Sequence, residues 1–383
     1  MSSNIINLKN LIYDVFCINI SDKYNYQLQY LSQDHYNIKN NTLFIAYKGN
    51  QYNSNDYIDF VIDNGVKVII SDSNHTKKLQ YELYSFHDLR LEIAFYRDII
   101  IINCHFIKQY LAKIATIFYQ NPTKKLLTIG VTGTNGKSSI CFLLAQLLTA
   151  LNYKVAIFST VVYGIWQEHL TSSNQTTMNA IDLQYNLAKF LQQQVQIVII
   201  EVSSHAIVQK RIQYIKFDYA VFSNLSHDHL DYHQSMQQYS ACKKKLFSLT
   251  NLKARILNID DQYAKNWITN LPKPIITYGH NDNADWQITQ YRSYLQKNFN
   301  SQFTLNYQQQ SWQFNTSLAG EFNLKNLIAS LATTFSIVQK QMNFKAFYKK
   351  LYPVCQKLFL AQGRLNLIQK NNHYIFIDYA HTP

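Results

Sequence analysis

Gly133, Gly136, Lys137 and Ser138 form a group whose residue types and spacing could bind phosphate. They follow the apolar run 126–131, and a segment whose apolar residues have helical spacing begins at Lys137. Backbone N–H groups point outward at a helix start and the helix dipole favours negative charge there, so such a loop is an anion site. Lys137 would reach the β- and γ-phosphates and Ser138 would ligate Mg²⁺. Taken alone, the loop indicates binding of ATP or GTP.

The glycine spacing of this loop departs from the usual nucleotide-binding pattern. The pattern G-x-x-x-x-G-K-[ST] requires glycine at position 131, where this chain has Val131, and the glycines stand at Gly130, Gly133 and Gly136. An ordinary strand–turn–helix connection could use glycines for geometry alone, but Lys-Ser at the helix start favours a phosphate site. We find no N-K-x-D motif, which a GTPase would usually carry to read its base.

Acidic and imidazole side chains follow two further apolar strands. Glu201 ends the first strand, and Asp228, His229, Asp231 and His233 follow the second. Ligand sites in open α/β sheets lie at the carboxyl ends of the strands, so this set predicts Mg²⁺ bound together with ATP. Any one of these histidines alone could be a surface loop residue. A zinc site is the weaker alternative because the cysteines are not at ligand spacing.

Apolar strands alternate with helical segments over most of the chain. The predicted strands of the central region are 126–131, 154–160, 195–203, 217–225, 255–259 and 274–279, and the predicted helices are 106–122, 137–150, 182–193 and 323–338. Because these strands are mostly apolar throughout, we expect a parallel sheet covered on both faces, which is a doubly wound α/β fold. Residues 286–318 alternate in polarity, as antiparallel strands do.

The pattern predicts three regions. Residues 1–104 are predicted to form a mixed-sheet N-terminal domain, with strands at 41–50 and 65–72. Residues 105–361 are predicted to form the central doubly wound domain, which resembles a P-loop ATPase. Residues 362–383 are expected to hold only the first strand of a C-terminal Rossmann-like domain, at 374–380, with the remainder of that domain absent.

Composition narrows the classes of partner and compartment. The 383 residues hold 36 Lys and Arg against 23 Asp and Glu, a formal charge of +13. The excess reflects a scarcity of acids without any run of five or six like charges, so we expect no nucleic-acid partner. Five scattered cysteines without a C-x-x-C motif argue against a disulfide framework and favour the reducing cytoplasm. The apolar runs are too short to cross a bilayer, so we expect no membrane insertion.

Three stretches together resemble the Mur ligase family, and specifically its MurE type, the UDP-N-acetylmuramoyl-tripeptide synthetases. They are GVTGTNGKSS (130–139), EVSSHAIVQKR (201–211) and NLSHDHLDYHQSMQQYSACKKKLF (224–247). The ATP loop of that family has the spacing G-x-T-G-T-N-G-K-[ST], so Val131 fits it. The resemblance runs from about residue 30 to the last residue, and it implies that the N-terminal domain, 1–104, binds the UDP-substrate.

The resemblance implies the phosphate and metal residues position by position. The loop residues that would hold ATP are Gly133, Thr134, Asn135, Gly136, Lys137, Ser138 and Ser139. The expected metal ligands are Ser138, Glu201, His229 and Lys243, and the expected catalytic set is Lys137, Glu201, His229 and Lys243. Lys243 matches a lysine that CO₂ carbamylates. A cationic lysine would repel Mg²⁺, whereas a carbamate supplies a hard oxygen ligand.

The resemblance also implies the base side of the ATP site and the substrate contacts. Further ATP residues would be Asn224, Asn323, Asn326, Arg364 and Asp378, with His381 also facing the nucleotide. The substrate contacts would be Thr176, Thr177, Ser203, Gln209 and Arg211. At Arg211 a bidentate anion contact needs Arg rather than Lys. A helix cap or a turn is the plain structural interpretation of each Asn.

Three departures from the family pattern stand out. The family's D-S-R segment, which contributes to uridine recognition, is replaced here by Asp34-His35-Tyr36. Met178 replaces the proline of a T-T-P segment. The segment that selects the diamino acid in the family is expected beyond Pro383 and is absent from this chain.

The implied reaction is amide ligation driven by ATP in peptidoglycan assembly. The D-Glu γ-carboxylate of UDP-MurNAc-L-Ala-D-Glu would attack the γ-phosphate, and the amine of a diamino acid would then attack the acyl phosphate. Catalysis would rest on positioning and electrostatics. The sequence does not distinguish meso-diaminopimelate from lysine, and the family expectation is a monomer.

Two alternatives stay open at this stage. One is a related ligase, such as the D-Ala-D-Ala-adding enzyme or a folylpolyglutamate synthetase, although the EVSSH and DHLDYH motifs argue against both. The other is a truncated, non-catalytic remnant that binds nucleotide without turnover.

Overall fold

The chain divides into two compact units. The computed structural model describes residues 5–49, 52–73, 80–86, 89–96, 98–173, 175–295, 299–370 and 373–378. The first unit comprises Met1–Pro122, Asn179–Lys189 and Lys210–Ile215, and the second comprises Thr123–Met178, Phe190–Gln209 and Lys216–Pro383. The domain boundaries predicted after residues 104 and 361 stay predictions.

The first unit contains a mixed six-stranded sheet. The strands of this unit are β1 (Ile6–Asn7), β2 (Gln27–Leu28), β3 (Tyr30–Ser32), β4 (Thr42–Ala46), β5 (Val68–Ser71), β6 (Gln80–Phe86), β7 (Leu89–Tyr96) and β8 (Ile99–Asn103), and its helices include α1 (Leu8–Phe16), α2 (Ile58–Asp63) and α3 (Ile107–Phe118). Strands β1 and β2 pair with each other, and the six-stranded sheet has the order β3-β4-β5-β8-β7-β6. Pairing is parallel from β3 to β8 and antiparallel beyond it, which confirms the mixed sheet expected from the sequence.

Both faces of this sheet are buried because successive side chains of a strand point to opposite faces. In β4, Leu43 and Ile45 join the apolar cluster that contains α1 and α3. Phe44 and Ala46 join a second cluster that contains α2. A fully apolar strand is therefore required at this position, as the sequence predicted.

The second unit contains the longer sheet. Its strands are β9 (Leu127–Thr132), β10 (Val155–Phe158), β11 (Val162–Ile165), β12 (His169–Ser172), β13 (Ile197–Glu201), β14 (Tyr219–Phe222), β15 (Ala254–Asn258), β16 (Ile275–Gly279), β17 (Trp286–Leu295), β18 (Phe299–Tyr307), β19 (Gln310–Thr316), β20 (Asn366–Lys370) and β21 (His373–Ile377). The helices from here onward are α4 (Lys137–Ala150), α5 (Ala180–Gln192), α6 (Ser204–Val208), α7 (Leu230–His233), α8 (Met236–Phe247), α9 (Gln262–Ile268), α10 (Glu321–Val338) and α11 (Phe344–Cys355). Helix α5 contributes residues to both units.

Seven strands paired in parallel form the centre of the longer sheet, as the described residues show it. The order is β12-β11-β10-β13-β9-β14-β15-β16-β17-β18-β19, with parallel pairing from β10 to β17. Strand β9 lies between β13 and β14, so the carboxyl ends of these three strands are neighbours. This arrangement confirms the predicted doubly wound fold and places any strand-end ligand site beside the loop after β9.

Helix α4 is buried on nearly all sides, which explains its apolar sequence. Ten of its side chains, from Ser138 to Leu148, are buried. They pack with α10 in the large apolar cluster of the second unit. A helix that is apolar all round must lie inside the protein, and here its first turn is fixed rigidly at the end of β9.

Some elements differ from the sequence expectation. Strands β11 and β12, which the sequence pattern did not predict, extend the sheet at one edge. The antiparallel strands expected in 286–318 extend it at the other edge as β17 to β19. Strand β20 pairs with β21 as an antiparallel hairpin, where the pattern predicted only the second strand. Strands β11, β12 and β20 are short or partly polar, so hydrophobic periodicity did not identify them. Among the described residues, no helix is both long and apolar enough to cross a membrane.

Asp218 ties the phosphate-loop strand to its neighbours. Its side chain is buried and accepts a hydrogen bond from the Thr128 backbone N–H at 3.0 Å. The ammonium groups of Lys216 and Lys253 lie 3.4 and 3.1 Å from its other oxygen. One carboxylate therefore links the starts of β9, β14 and β15.

Replacement of this carboxylate should destabilise the second unit. Asp218→Ala leaves the buried Thr128 N–H without its acceptor, so we expect a loss of about 1–3 kcal/mol and a melting temperature lower by several degrees. The matched control is Asp63→Ala, which removes an exposed carboxylate at the end of α2. Differential scanning calorimetry should separate the two variants. Equal melting temperatures would contradict the role of Asp218.

Candidate functional site

The predicted ligand residues come from the carboxyl ends of three adjacent strands. The phosphate loop Gly133–Gly136 follows β9, Glu201 ends β13, and Asn224 follows β14. Because β9 pairs with both neighbours in parallel, these groups meet at one edge of the sheet. The structure therefore brings together residues that are separated by up to about ninety positions in the sequence.

The loop depends on glycine at both of its ends. Gly133 and Gly136 have φ of +150° and +84°, a region that residues with a side chain adopt rarely. A Cβ at Gly133 would overlap the Ser223 hydroxyl, and a Cβ at Gly136 would overlap the side-chain amide of Asn326. The loop is thus closely packed between β14 and α10.

Lys137, the first residue of α4, folds back over the loop. Its ammonium group donates to the Thr134 carbonyl at 2.7 Å and to the Gly133 carbonyl at 3.2 Å. Burial lowers the pKa of Lys137, the Glu201 carboxylate opposes this, and the positive charge of Arg364 lowers the pKa further. A cation held this way is available to phosphate oxygens at the same loop.

Asn224 shapes the middle of the loop. Its side-chain oxygen accepts from the Asn135 backbone N–H at 3.0 Å, and its backbone carbonyl accepts from Thr134 N–H at 2.8 Å. The Thr134 hydroxyl accepts from Ser226 N–H at 3.0 Å. Asn224 therefore bonds the loop in this structure rather than pointing away from it, and its predicted contact with ATP stays a prediction.

Glu201 is a buried carboxylate held by neutral donors. Its oxygens accept from the Ser138 hydroxyl, the Thr160 backbone N–H and the Thr160 hydroxyl, each at 2.9 Å. Within the described part of the chain, no Lys, Arg or His nitrogen lies within 4.0 Å of it. A buried carboxylate without a cation is unfavourable, so this position suits a metal ion.

Lys243 lies under the loop on α8. It is buried, donates to the Gly133 carbonyl at 2.8 Å, and has its ammonium group 4.6 Å from the centre of the Tyr239 ring. Burial, and next the charge of Lys137, hold the pKa of Lys243 well below its usual value. No carboxylate among the described residues pairs with it, which is unusual for a buried lysine.

His229 lies at the rim of this group in a cluster of rings. Its side chain is 43% exposed, and its Nε2 lies 3.4 Å from an Asp228 oxygen. The ring centre lies 5.0 Å from that of His205 and 6.2 Å from that of Tyr239. Tyr239 thus lies close to both predicted ligands, His229 and Lys243. Among the described residues, no hydrogen bond joins His229 to Lys243 directly.

The oxygen donors present fit Mg²⁺. In the described ranges, no three His, Cys, Asp or Glu side chains converge on one point. The hard oxygens near the loop are the Ser138 hydroxyl and the Glu201 carboxylate, and the buried Ser226 hydroxyl has no hydrogen-bond partner. Mg²⁺ usually keeps several waters and phosphate oxygens and needs only one or two protein carboxylates. Ser138 and Glu201 would hold it, with Lys243 joining them as a carbamate.

Of the residues predicted for the base side of ATP, two lie on α10. Asn323 and Asn326 are buried, and Asn326 stands against Gly136. The charge of Arg364 lowers the pKa of Lys137. Asp378 accepts from the Leu365 backbone N–H at 2.8 Å, so it joins the two open ends of the β20–β21 hairpin. His381 lies outside the described residues.

The predicted substrate residues divide between the two units. In the second unit, the Thr177 hydroxyl donates to the Glu201 carbonyl at 2.9 Å and accepts from Ser203 N–H at 3.2 Å. Thr176 and Gln209 also belong to the second unit, and Arg211 belongs to the first. Ser203 caps α6, since its hydroxyl accepts from Ala206 N–H at 3.1 Å.

The departure at Asp34-His35-Tyr36 places aromatic rings where the family has Ser and Arg. The His35 ring stacks on Tyr57 with centres 3.7 Å apart, and Tyr36 packs beside it at 4.0 Å. His35 Nδ1 is 2.5 Å from the Tyr52 hydroxyl, while its buried Nε2 has no hydrogen-bond partner among the described residues. Tyr36 is 80% exposed. The substitution is visible in the sequence, whereas no local sequence pattern predicts this stack.

Two residues at the site escaped the sequence analysis as functional candidates. Thr160 holds both oxygens of Glu201, and it follows the carboxyl end of β10, where strand-end reasoning could have found it. Tyr239 lies under Lys243, with its hydroxyl 3.3 Å from that of Thr134. The four-residue spacing from Tyr239 to Lys243 on one helix was the available signal.

The fold and this loop define a class: an α/β protein with a phosphate-binding loop at the switch point of a doubly wound sheet. The chain matches the family model described as the Mur ligase middle domain over residues 131–334. It is 33% identical over 364 residues to the UDP-N-acetylmuramoyl-L-alanyl-D-glutamate–2,6-diaminopimelate ligase of Haemophilus influenzae (strain 86-028NP), covering 93% of this chain and 70% of that protein. The chain belongs to the Mur ligase family.

Two further comparisons agree. The ligase of the same name from Wigglesworthia glossinidia brevipalpis is 33% identical over 384 residues, covering 99% of this chain and 73% of that protein. A solved structure of a UDP-N-acetylmuramoyl-L-alanyl-D-glutamate–2,6-diaminopimelate ligase superposes with a TM-score of 0.76 at 27% identity, covering 99% of this chain and 72% of that one. The resemblance found in the sequence is therefore confirmed at the level of the family and of its MurE type.

Substitution of the second loop glycine should remove nucleotide binding. In Gly136→Ala, the new methyl group meets Asn326 and the φ of +84° is strained, so we expect ATP affinity to fall at least about tenfold. The matched control is Gly363→Ala, where φ is +73° but no atom lies within 4 Å of the added carbon. Isothermal titration calorimetry with ATP measures both. Loss of affinity in the control alone would contradict this account of the loop.

Proposed function

We propose that this chain is an ATP-dependent amide ligase that joins a diamino acid to UDP-MurNAc-L-Ala-D-Glu in peptidoglycan synthesis. One observation supports the proposal most directly: the buried Glu201 accepts from Ser138 at the start of the phosphate-loop helix. This geometry joins an oxygen metal site to a phosphate site, as ATP-driven phosphoryl transfer requires. The named relatives support 2,6-diaminopimelate as the incoming diamino acid.

The residues of the loop would act by position and charge. Lys137 would turn from the carbonyls of Gly133 and Thr134 toward the γ-phosphate and offset its negative charge. The first N–H groups of α4 would bind the β-phosphate. The substrate γ-carboxylate would displace ADP to give an acyl phosphate, and the amine would then displace phosphate to form the amide.

The metal and the carbamate belong to the same proposal. Mg²⁺ would neutralise the charge that develops on the transferring phosphoryl group. Ser138, Glu201, His229 and carbamylated Lys243 would surround it, and the proximity of Lys243 to the Gly133 carbonyl supports this arrangement. A carbamate would change the charge at Lys243 from positive to negative and so remove the repulsion between this buried lysine and a cation.

The remaining assignments concern substrate and setting. We assign Asn323, Asn326 and Arg364 to the nucleotide, and Thr177, Ser203 and Arg211 to the peptidyl substrate. The unpaired state of all five cysteines supports a reducing cytoplasm as the compartment. A monomer with no nucleic-acid partner remains our expectation from the family and from the dispersed charges.

The reaction itself is the first test. Purified chain with Mg²⁺ and ATP should release phosphate only when UDP-MurNAc-L-Ala-D-Glu and 2,6-diaminopimelate are both present, because each step consumes one of them. Phosphate release and the amide product should be measured together, by a coupled assay and mass spectrometry. Hydrolysis that is indifferent to both substrates would contradict the ligase assignment and favour a nucleotide-binding remnant.

The carbamate has a test that does not depend on turnover. With ¹³C-bicarbonate, the wild-type chain should give a carbamate ¹³C resonance that disappears in Lys243→Ala. Lys245→Ala is the matched control, since Lys245 is an exposed lysine on the same helix. Lys243→Ala should also reduce the ligase rate by at least about a hundredfold, since removal of a catalytic charge contact typically costs that much. Full activity without Lys243 would remove the assignment.

A further inference from the structure

A cluster of charges lies at the carboxyl ends of β15 and β16, outside the metal site. The Asp260 carboxylate accepts from the backbone N–H of His280 at 3.0 Å and of Asn281 at 3.1 Å. Its other contact is the ammonium group of Lys325, at 3.0 Å. Burial alone would raise the pKa of Asp260, but these donors more than offset it and the pKa is lowered. The carboxylate is therefore a fixed negative charge at the sheet edge.

Lys325 lies in the first two turns of α10, between the two asparagines of that helix. It also contacts Glu321 at 3.2 Å, and Glu321 in turn lies 3.2 Å from His280 Nε2. The side chains of Lys325 and Asp260 are only 25% and 19% exposed, whereas that of Glu321 is 54% exposed. The Asp260–Lys325 pair is thus the better shielded contact, and the Glu321 pairs are at the solvent-exposed rim.

The start of α10 lacks a side-chain cap. Its N-cap is Gly320, which provides no side-chain hydrogen bond to the first turn. Leu324 in the first turn packs in the apolar core, as do most residues from Leu327 to Val338. The two asparagines have local contacts: Asn323 donates to the Ala319 carbonyl at 2.8 Å, and the Asn326 side-chain amide donates to that of Asn323 at 3.4 Å. The Asp260–Lys325 ion pair is a second contact that ties these turns to the sheet edge.

Asn326 transmits the position of this helix start to the phosphate loop. Its side-chain amide occupies the space that a Cβ at Gly136 would need. A small rotation of the first turns would therefore shift Asn326 relative to Gly136 and displace Asn323 with it. The ion pair joins these turns to Asp260, which follows β15.

We propose that Asp260 and Lys325 are positioning residues for the base side of the bound nucleotide. They act through Asn323 and Asn326, which they hold against the loop without contacting ATP. The inference rests on the proposed function because it takes ATP as the nucleotide and places these asparagines beside its base. The phosphate side of the site is held separately, by Lys137 and the start of α4.

The test compares a ligand that has a base with one that has none. Lys325→Met should weaken ATP binding about fivefold, because one partly buried ion pair contributes about that much. The same variant should change binding of inorganic tripolyphosphate less than about twofold. Both ligands are titrated into the full chain by calorimetry. Asp260→Asn should show the same selective loss, and the double variant should be no worse than either single one.

Three controls make the result specific. Lys325→Arg keeps the charge and should retain wild-type ATP affinity. Lys345→Met removes an exposed lysine on α11 and should change neither ligand. Thermal unfolding of each variant checks that the folded fraction is unchanged, and loss of folded protein would weaken both ligands equally, unlike loss of positioning.

Each outcome has a definite meaning. Selective loss of ATP affinity supports the positioning role. Equal loss of ATP and tripolyphosphate, or no loss in Lys325→Met, overturns it. The titration does not depend on turnover. A wild-type chain that binds ATP but forms no amide would therefore contradict the ligase proposal, and the titrations of the variants would still decide the positioning role. A wild-type chain that does not bind ATP would contradict the proposed function itself.

Discussion

The carbonyl oxygen of Gly133 accepts hydrogen bonds from two lysines, and the rest of the site is organised around that contact. Lys137 donates to it at 3.2 Å and Lys243 at 2.8 Å. Two ammonium groups this close repel each other, and burial removes the water that would screen them. Burial is the main cause that lowers the pKa of both lysines, and the charge of Lys137 lowers the pKa of Lys243 further. Neither lysine is paired with a carboxylate of the described residues, so both nitrogens remain available at the loop.

Glu201 is the counterpart of these lysines across the loop. It is the buried carboxylate nearest to the start of α4, yet Ser138 and Thr160 bind it in place of either lysine. In the proposed ATP site, this separation would leave oxygen ligands for Mg²⁺ and positive charge for the phosphates. A direct Lys137–Glu201 ion pair would neutralise both groups.

The sequence predicted the central sheet well and the surroundings of the loop less well. Strands such as β13 and β14 are largely apolar, so hydrophobicity alone identified them, and the end of β13 located Glu201. Asn224 was assigned only through the family resemblance. The contact of Asn326 with Gly136 spans 190 positions and depends on how α10 packs on α4, which no local pattern encodes. The stack at His35 likewise depends on a turn that brings Tyr52 and Tyr57 back to it. The hairpin β11–β12 was missed because β12 is exposed and only four residues long.

Helices α4 and α10 meet the nucleotide loop with similar starts. The N-cap of α4 is Gly136 and that of α10 is Gly320, both at positive φ and both without a side-chain cap. Elsewhere in the second unit Ser235 and Asp261 cap α8 and α9 with side-chain oxygens. An uncapped start leaves backbone N–H groups free for an anion but costs stability to the helix. At α4 the buried core restores that stability directly. At α10 the core reaches the first turns through Leu324, and the Asp260–Lys325 ion pair adds a second contact there.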